Sequence, residues 1–141
     1  MKVIYTLGTD LRSIEDFMEI LSAYGIEAVI DVRSFPVSKL EHFKKDNLED
    51  MLRKEMFRYH YLGKRLGGFR KGGYRAYTYT TEFKEGIDEL EDIAKINIST
   101  IICAERFPWK CHRRFIAMEL RRRGWKVHHI IEKGKVWTPS S

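Results

Sequence analysis

The stretch Ala28-Val29-Ile30-Asp31-Val32-Arg33 is a short apolar run that ends abruptly in an acid and a base. A strand with one wet face alternates apolar and polar residues. A strand covered on both faces by helices reads as an unbroken apolar run. Ala28-Val29-Ile30 is of the second kind, so it is expected to lie inside a parallel sheet, with Asp31 and Arg33 at its carboxyl end and Ser34-Phe35-Pro36 breaking it.

The neighbouring segments agree with this reading. Val3-Ile4-Tyr5-Thr6-Leu7 reads as a first strand stopped by Gly8. Asp10 or Ser13 can cap a helix whose apolar stripe is Ile14, Phe17, Met18 and Leu21, with Gly25 as its stop. Asn47 to Met56 has helical spacing, and Arg58-Tyr59-His60-Tyr61-Leu62 reads as a short strand. Gly63 to Tyr79 is read as one long irregular loop, rich in glycine, basic residues and tyrosine. Loops of that length inside a domain usually carry function. A third helix follows from Phe83 to about Asn97, and Ile98 to Cys103 is a second strand of the buried type. Pro108 is placed at N1 of a fourth helix running to about Arg123, with Gly124 as its stop, and Trp125 to Ile131 reads as the last strand. The alternation predicts a single three-layer α/β domain over residues 1–141, with a mostly parallel sheet of about five strands and helices on both faces.

A chain of 141 residues suits one hydrophobic core. Two cysteines make no disulfide framework, and no apolar run is long enough for a membrane span or a signal peptide. The expected setting is soluble, reducing and cytoplasmic, with no membrane partner. The net charge of +6 is concentrated: eight Lys/Arg against two Glu lie between Cys103 and Lys126, and five Lys/Arg with no acid lie between Gly63 and Arg75. Such segments favour an anionic partner, either a phosphate-containing small molecule or nucleic acid.

Ligands of open parallel sheets bind outside the carboxyl ends of the strands, where this chain places Thr9, Arg33 and the segment Cys103-Ala104-Glu105-Arg106-Phe107-Pro108-Trp109-Lys110-Cys111-His112-Arg113. That segment holds both cysteines. On the fourth helix His112 and Glu119 are expected to point inward, and Glu119 there needs Arg33, Arg113 or a tyrosine hydroxyl as partner. A cysteine-phosphatase loop would need arginine where Trp109 stands. A structural zinc site needs four close ligands, whereas seven residues separate Cys103 from Cys111 and only His112 is near. No metal or cofactor is implied.

At these residues the sequence resembles the domain of unknown function 488 family. The resemblance rests on Thr6-Leu7-Gly8, Asp31-Val32-Arg33 with Pro36, Leu62-Gly63 with Leu66-Gly67-Gly68, and Cys103-Ala104-Glu105 followed by Pro108 and Cys111-His112-Arg113. It implies a compact α/β fold and a shared polar site, and no established reaction. Many members look as if they carry His-Ser after the first glycine, where this chain has Thr9-Asp10. A weaker likeness, at the level of fold alone, is to rhodanese-like domains.

Three functional readings follow. The first is an enzyme acting on a phosphate-containing or nucleotide-like substrate, with Arg33, Arg106, Arg113 and Thr9 holding the anion and Cys103, Glu105, Cys111 and His112 as catalytic candidates. The second is a nucleic-acid-binding module without catalysis, using Arg65, Arg70, Lys71, Tyr74 and Arg75. The third is a redox or structural pair formed by Cys103 and Cys111.

Overall fold

The computed structural model describes residues 2–35 and 38–139, so Pro36 of the sequence signature lies outside the described residues. Along the chain run β1 (Val3–Gly8), α1 (Ile14–Ala23), β2 (Ala28–Asp31), α2 (Lys45–Lys54), β3 (Arg58–Tyr61), α3 (Gly63–Leu66), α4 (Tyr74–Tyr77), α5 (Thr81–Ile96), β4 (Ser99–Cys103), α6 (Arg113–Arg122), β5 (Lys126–Glu132) and β6 (Lys135–Trp137). The strands form one sheet in the order β3-β2-β4-β1-β5-β6. The first five are parallel to their neighbours, and β6 returns antiparallel along β5.

The two segments read as buried strands are interior strands, and every residue of β2 and β4 is buried. Because successive side chains of a strand point to opposite faces, Val29 and Ile102 join Leu7 and Ile130 under α1 and α2. Ile30 and Ile101 join Ile4 and Val127 under α5 and α6. The predicted three layers are thus present. Ser13 caps α1 by accepting the Asp16 amide, and Thr80 caps α5 by accepting that of Phe83. Such a cap is worth about 1 kcal/mol.

The sheet has six strands rather than five. The sixth is three residues long and wholly exposed, so no buried alternation marks it. Gly63 to Tyr79 is not structureless. Leu66 and Tyr74, from the two short helices α3 and α4, are buried in the core. Pro108 does not open the fourth helix: residues Pro108–Lys110 form a separate 3-10 turn, and α6 starts five residues later, at Arg113. Its buried stripe is Arg113, Ile116, Ala117 and Leu120, while Met118 is 51% exposed. Glu119 pairs with Arg122 and Arg123 of its own chain segment, not with the partners expected for it.

The order of the strands positions the site. The chain passes from β1 to β2 and β3, then returns to insert β4 between β2 and β1. The connection leaving β2 runs to α2 on one face, and that leaving β4 runs to α6 on the other. A crevice opens between their carboxyl ends.

Candidate functional site

Cys103 is the last residue of the central strand, and the chain beyond it folds over the end of β1. Thr9 donates its amide to the Cys103 carbonyl at 2.8 Å, and Asp10 donates to that of Ala104 at 2.8 Å. A Cβ at Gly8 would stand 1.9 Å from the Glu105 carbonyl oxygen, so only glycine lets this crossing close. After the 3-10 turn, Cys111 comes back to Cys103, and the structure pairs their two sulfur atoms. The Cys111 sulfur also accepts the Arg113 amide at 3.4 Å, which sets it against the positive end of α6.

Arg113 is 0% exposed. Its guanidinium donates from Nη1 to Cys103 Sγ at 2.7 Å and to the Glu105 carbonyl at 2.6 Å, and from Nη2 to the Arg106 carbonyl at 2.9 Å. Its Nε is buried without a partner, and it makes no ion pair among the described residues. Burial above all, with the charge of Arg12 behind it, pushes its pKa down to about 9. The group is still a cation at neutral pH. A buried cation costs several kcal/mol unless an anion meets it, and the nearest group that can become one is the Cys103 sulfur. Cysteine beside arginine favours the thiolate.

His112 precedes α6 and is mostly enclosed. Its Nε2 lies 2.9 Å from the Val32 carbonyl, which can only accept, so Nε2 carries the hydrogen and Nδ1 keeps its lone pair. Nδ1 lies 3.6 Å from Cys111 Sγ. Burial lowers the imidazole pKa from its usual value, with Arg113 and Arg70 adding to the effect against the opposing pull of the Val32 and Leu66 carbonyls. Its position is held by packing. The Tyr74 ring lies 5.2 Å away, and a Cβ on Gly68 would come within 2.8 Å of Nδ1.

A cavity of about 330 Å³ opens over these groups, with Cys103, Cys111 and His112 lining it. Ser34, Phe35, Phe69, Glu105 and Lys110 also line it. The Phe35 and Phe69 rings are 5.4 Å apart and largely exposed. A larger hollow, about 550 Å³, lies at the amino ends of the strands around Tyr24, Lys95 and Trp125. Its lining contains neither cysteine nor histidine.

The remaining candidates from the sequence are distributed differently. Arg33 is clamped on Asp31, Nε to Oδ1 at 2.9 Å and Nη2 to Oδ2 at 2.8 Å, with Nη1 on the Phe43 carbonyl. Arg106 pairs with Asp10 at 2.8 Å and also reaches the Ile131 carbonyl. Thr9 is buried beside Cys103, whereas the Glu105 side chain is exposed. Arg33, Arg106 and Arg113 therefore do not converge on one point in the cavity. In the glycine-rich segment, Arg65 faces Glu85 and Glu89, and Arg70 binds the Gly67 and Lys64 carbonyls while lying 4.0 Å over the Tyr77 ring. Lys71 is exposed, and the Arg75 guanidinium lies over Phe115. Tyr74 is 8% exposed, with its hydroxyl on the Leu66 carbonyl, so its ring faces the core and offers no surface for stacking a base.

Sequence reasoning passed over Ser34, Phe35 and the buried partner Arg12, which donates to the Gly8 and Ile131 carbonyls. It also missed how deep Arg113 lies, although Arg113, Ile116, Ala117 and Leu120 follow the i, i+3, i+4, i+7 spacing of a buried helix face. Among the described residues no cluster of His, Cys, Asp or Glu side chains could hold a metal ion, and no helix is long and apolar enough to cross a membrane.

Residues 13–120 match the model of the family described as domain of unknown function DUF488. No curated protein and no solved structure matches the chain.

Proposed function

Since the chain belongs to the DUF488 family, whose description names no reaction, function has to be argued from the site, and we propose that the site is a thiol–disulfide exchange centre. Cys111 is the attacking thiol, Cys103 the resolving thiol and His112 the base. The observation that carries this reading is the buried Arg113 guanidinium, without an ion pair among the described residues, set against the Cys103 sulfur at 2.7 Å, with the second sulfur in contact. A cation so placed serves a thiolate. A purely structural pair of small apolar cysteines would leave it with the distant Glu105 carboxylate alone as counter-charge.

The chemistry balances without a cofactor. His112 Nδ1 takes the proton of Cys111, and the thiolate attacks one sulfur of a substrate disulfide. The substrate S–S bond breaks, a mixed disulfide forms on Cys111, and the departing thiolate takes the proton from His112. The Cys103 thiolate, its charge balanced by Arg113, then attacks the Cys111 sulfur and expels the second thiolate, which is protonated from water. The protein dithiol loses two electrons and the substrate disulfide becomes two thiols. The reverse sequence oxidises a dithiol substrate.

A phosphate substrate draws less support, because Arg33 and Arg106 are already neutralised by Asp31 and Asp10. The test uses bis(2-hydroxyethyl) disulfide and the fully reduced protein, read by intact mass. Wild type should form the internal pair, Cys103→Ser should accumulate the mixed disulfide on Cys111, and Cys111→Ser should form neither. If no adduct appears on Cys103→Ser while the protein stays folded, the proposal fails.

A further inference from the structure

The charges around the cavity differ from those of the protein as a whole. The chain is net +6, yet Arg33 is cancelled by Asp31 and His112 is held neutral by burial. Two charged side chains are left at the mouth, Lys110 and Glu105, both exposed and both lining the same cavity. Neither has a hydrogen-bond or ion-pair partner among the described residues, and Glu105 acts at a distance on Arg113. They are not paired with each other either, so each is available to a ligand. The cavity therefore offers one cation and one anion beside the sulfur pair, with Phe35 and Phe69 also in its lining.

We infer that the substrate of this centre is a small zwitterionic disulfide, each half of which carries a carboxylate for Lys110 and an ammonium group for Glu105, as in an amino-acid disulfide. The inference rests on the exchange reading above and adds the ligand class. Size argues the same way. A cavity of about 330 Å³ lies at the lower end of the range for small-molecule sites, and a purely cationic or purely anionic disulfide would set one of the two rim charges against a like charge.

The experiment measures oxidation of the reduced protein by three small disulfides that differ in charge: cystine (zwitterionic), cystamine (cationic) and 3,3′-dithiodipropionate (anionic). Each rate is divided by that for neutral bis(2-hydroxyethyl) disulfide. Wild type should favour cystine over both. Lys110→Met should lower the cystine-to-cystamine ratio about two- to fivefold, and Glu105→Gln should lower the cystine-to-dithiodipropionate ratio by a similar factor, the size expected of exposed ion pairs. Both side chains are exposed, so neither substitution disturbs the core. If the neutral disulfide reacts and both ratios are the same in wild type and variants, the zwitterion reading is overturned and the exchange centre stands. If none of the four disulfides reacts, the exchange reading itself is overturned, and this inference with it.

Discussion

Replacing Arg113 with methionine tests the central claim most directly. Methionine fills much of the apolar volume and removes the charge, so the Cys103 thiolate loses its cation while the disulfide, which is neutral, loses little. A charge-assisted hydrogen bond contributes about 1.5–3 kcal/mol, and for a two-electron couple about 30 mV corresponds to 1.4 kcal/mol. If Arg113 serves a thiolate it stabilises the reduced form, so its loss should make the pair more reducing by about 30–65 mV. The assay equilibrates wild type and Arg113→Met in a graded series of thiol/disulfide buffers, quenches with an alkylating agent and counts free thiols by mass. Arg113→Lys, which keeps a cation, should move less. Stability is followed in parallel, because the Glu105 and Arg106 carbonyls also lose their donors. An unchanged potential, or a shift in the oxidising direction, would refute the argument that Arg113 serves a thiolate.

Three further outcomes are expected. Asp31 is fully buried and accepts hydrogen bonds from Arg33 and Tyr59, so Asp31→Asn strands a buried guanidinium and should cost about 3–5 kcal/mol in denaturant unfolding; a loss under 1 kcal/mol would contradict it. His129 is buried beside Thr6, and burial first, then the charge of Arg113, lowers its pKa to about 3. With a folded pKa below the unfolded value of about 6.5, the unfolded chain binds the proton first. The contribution is therefore complete above that pH and declines as pH falls towards 3, by about 2 kcal/mol at pH 5. His129→Gln should flatten this slope. Gly68→Ala would place a methyl group 2.8 Å from His112 Nδ1; it should destabilise the protein by about 1–3 kcal/mol and slow Cys111 alkylation. Alkylation at the wild-type rate would mean that His112 does not act on Cys111.

The layers of the fold were open to reading because burial on both faces leaves a one-dimensional trace. Ala28-Val29-Ile30 and Ile98 to Cys103 read as interior strands, which β2 and β4 (Ser99–Cys103) are, and the stripes of α1 and α5 recur at the helical period. The same logic located the cysteine segment at the carboxyl edge of the sheet. The short exposed β6 left no such trace. Two things about α6 were misread: it begins at Arg113 after a separate 3-10 turn and not at Pro108, and its buried stripe holds Arg113 while Glu119, expected inward, pairs with Arg122 and Arg123. The glycines of the signature were visible as letters, but their reason was not. Gly8 and Gly68 are bare because Glu105 and His112 press against them from distant parts of the chain.

Local order thus marked the five parallel strands and the longer helices, since periodicity and capping act within a few residues, but not β6, α3, α4 or the start of α6. Which charges are consumed and which are left for a ligand was decided only in three dimensions. Thirteen Lys/Arg in two segments suggested an anion site, yet Asp31 and Asp10 neutralise Arg33 and Arg106, and Arg113 turns inward to a sulfur. Electrostatic partners are chosen by proximity after folding, and a chain that inserts its fourth strand between its first and second brings Cys103, Cys111, His112 and Arg113 to one point with Val32 and Gly68, far away in sequence.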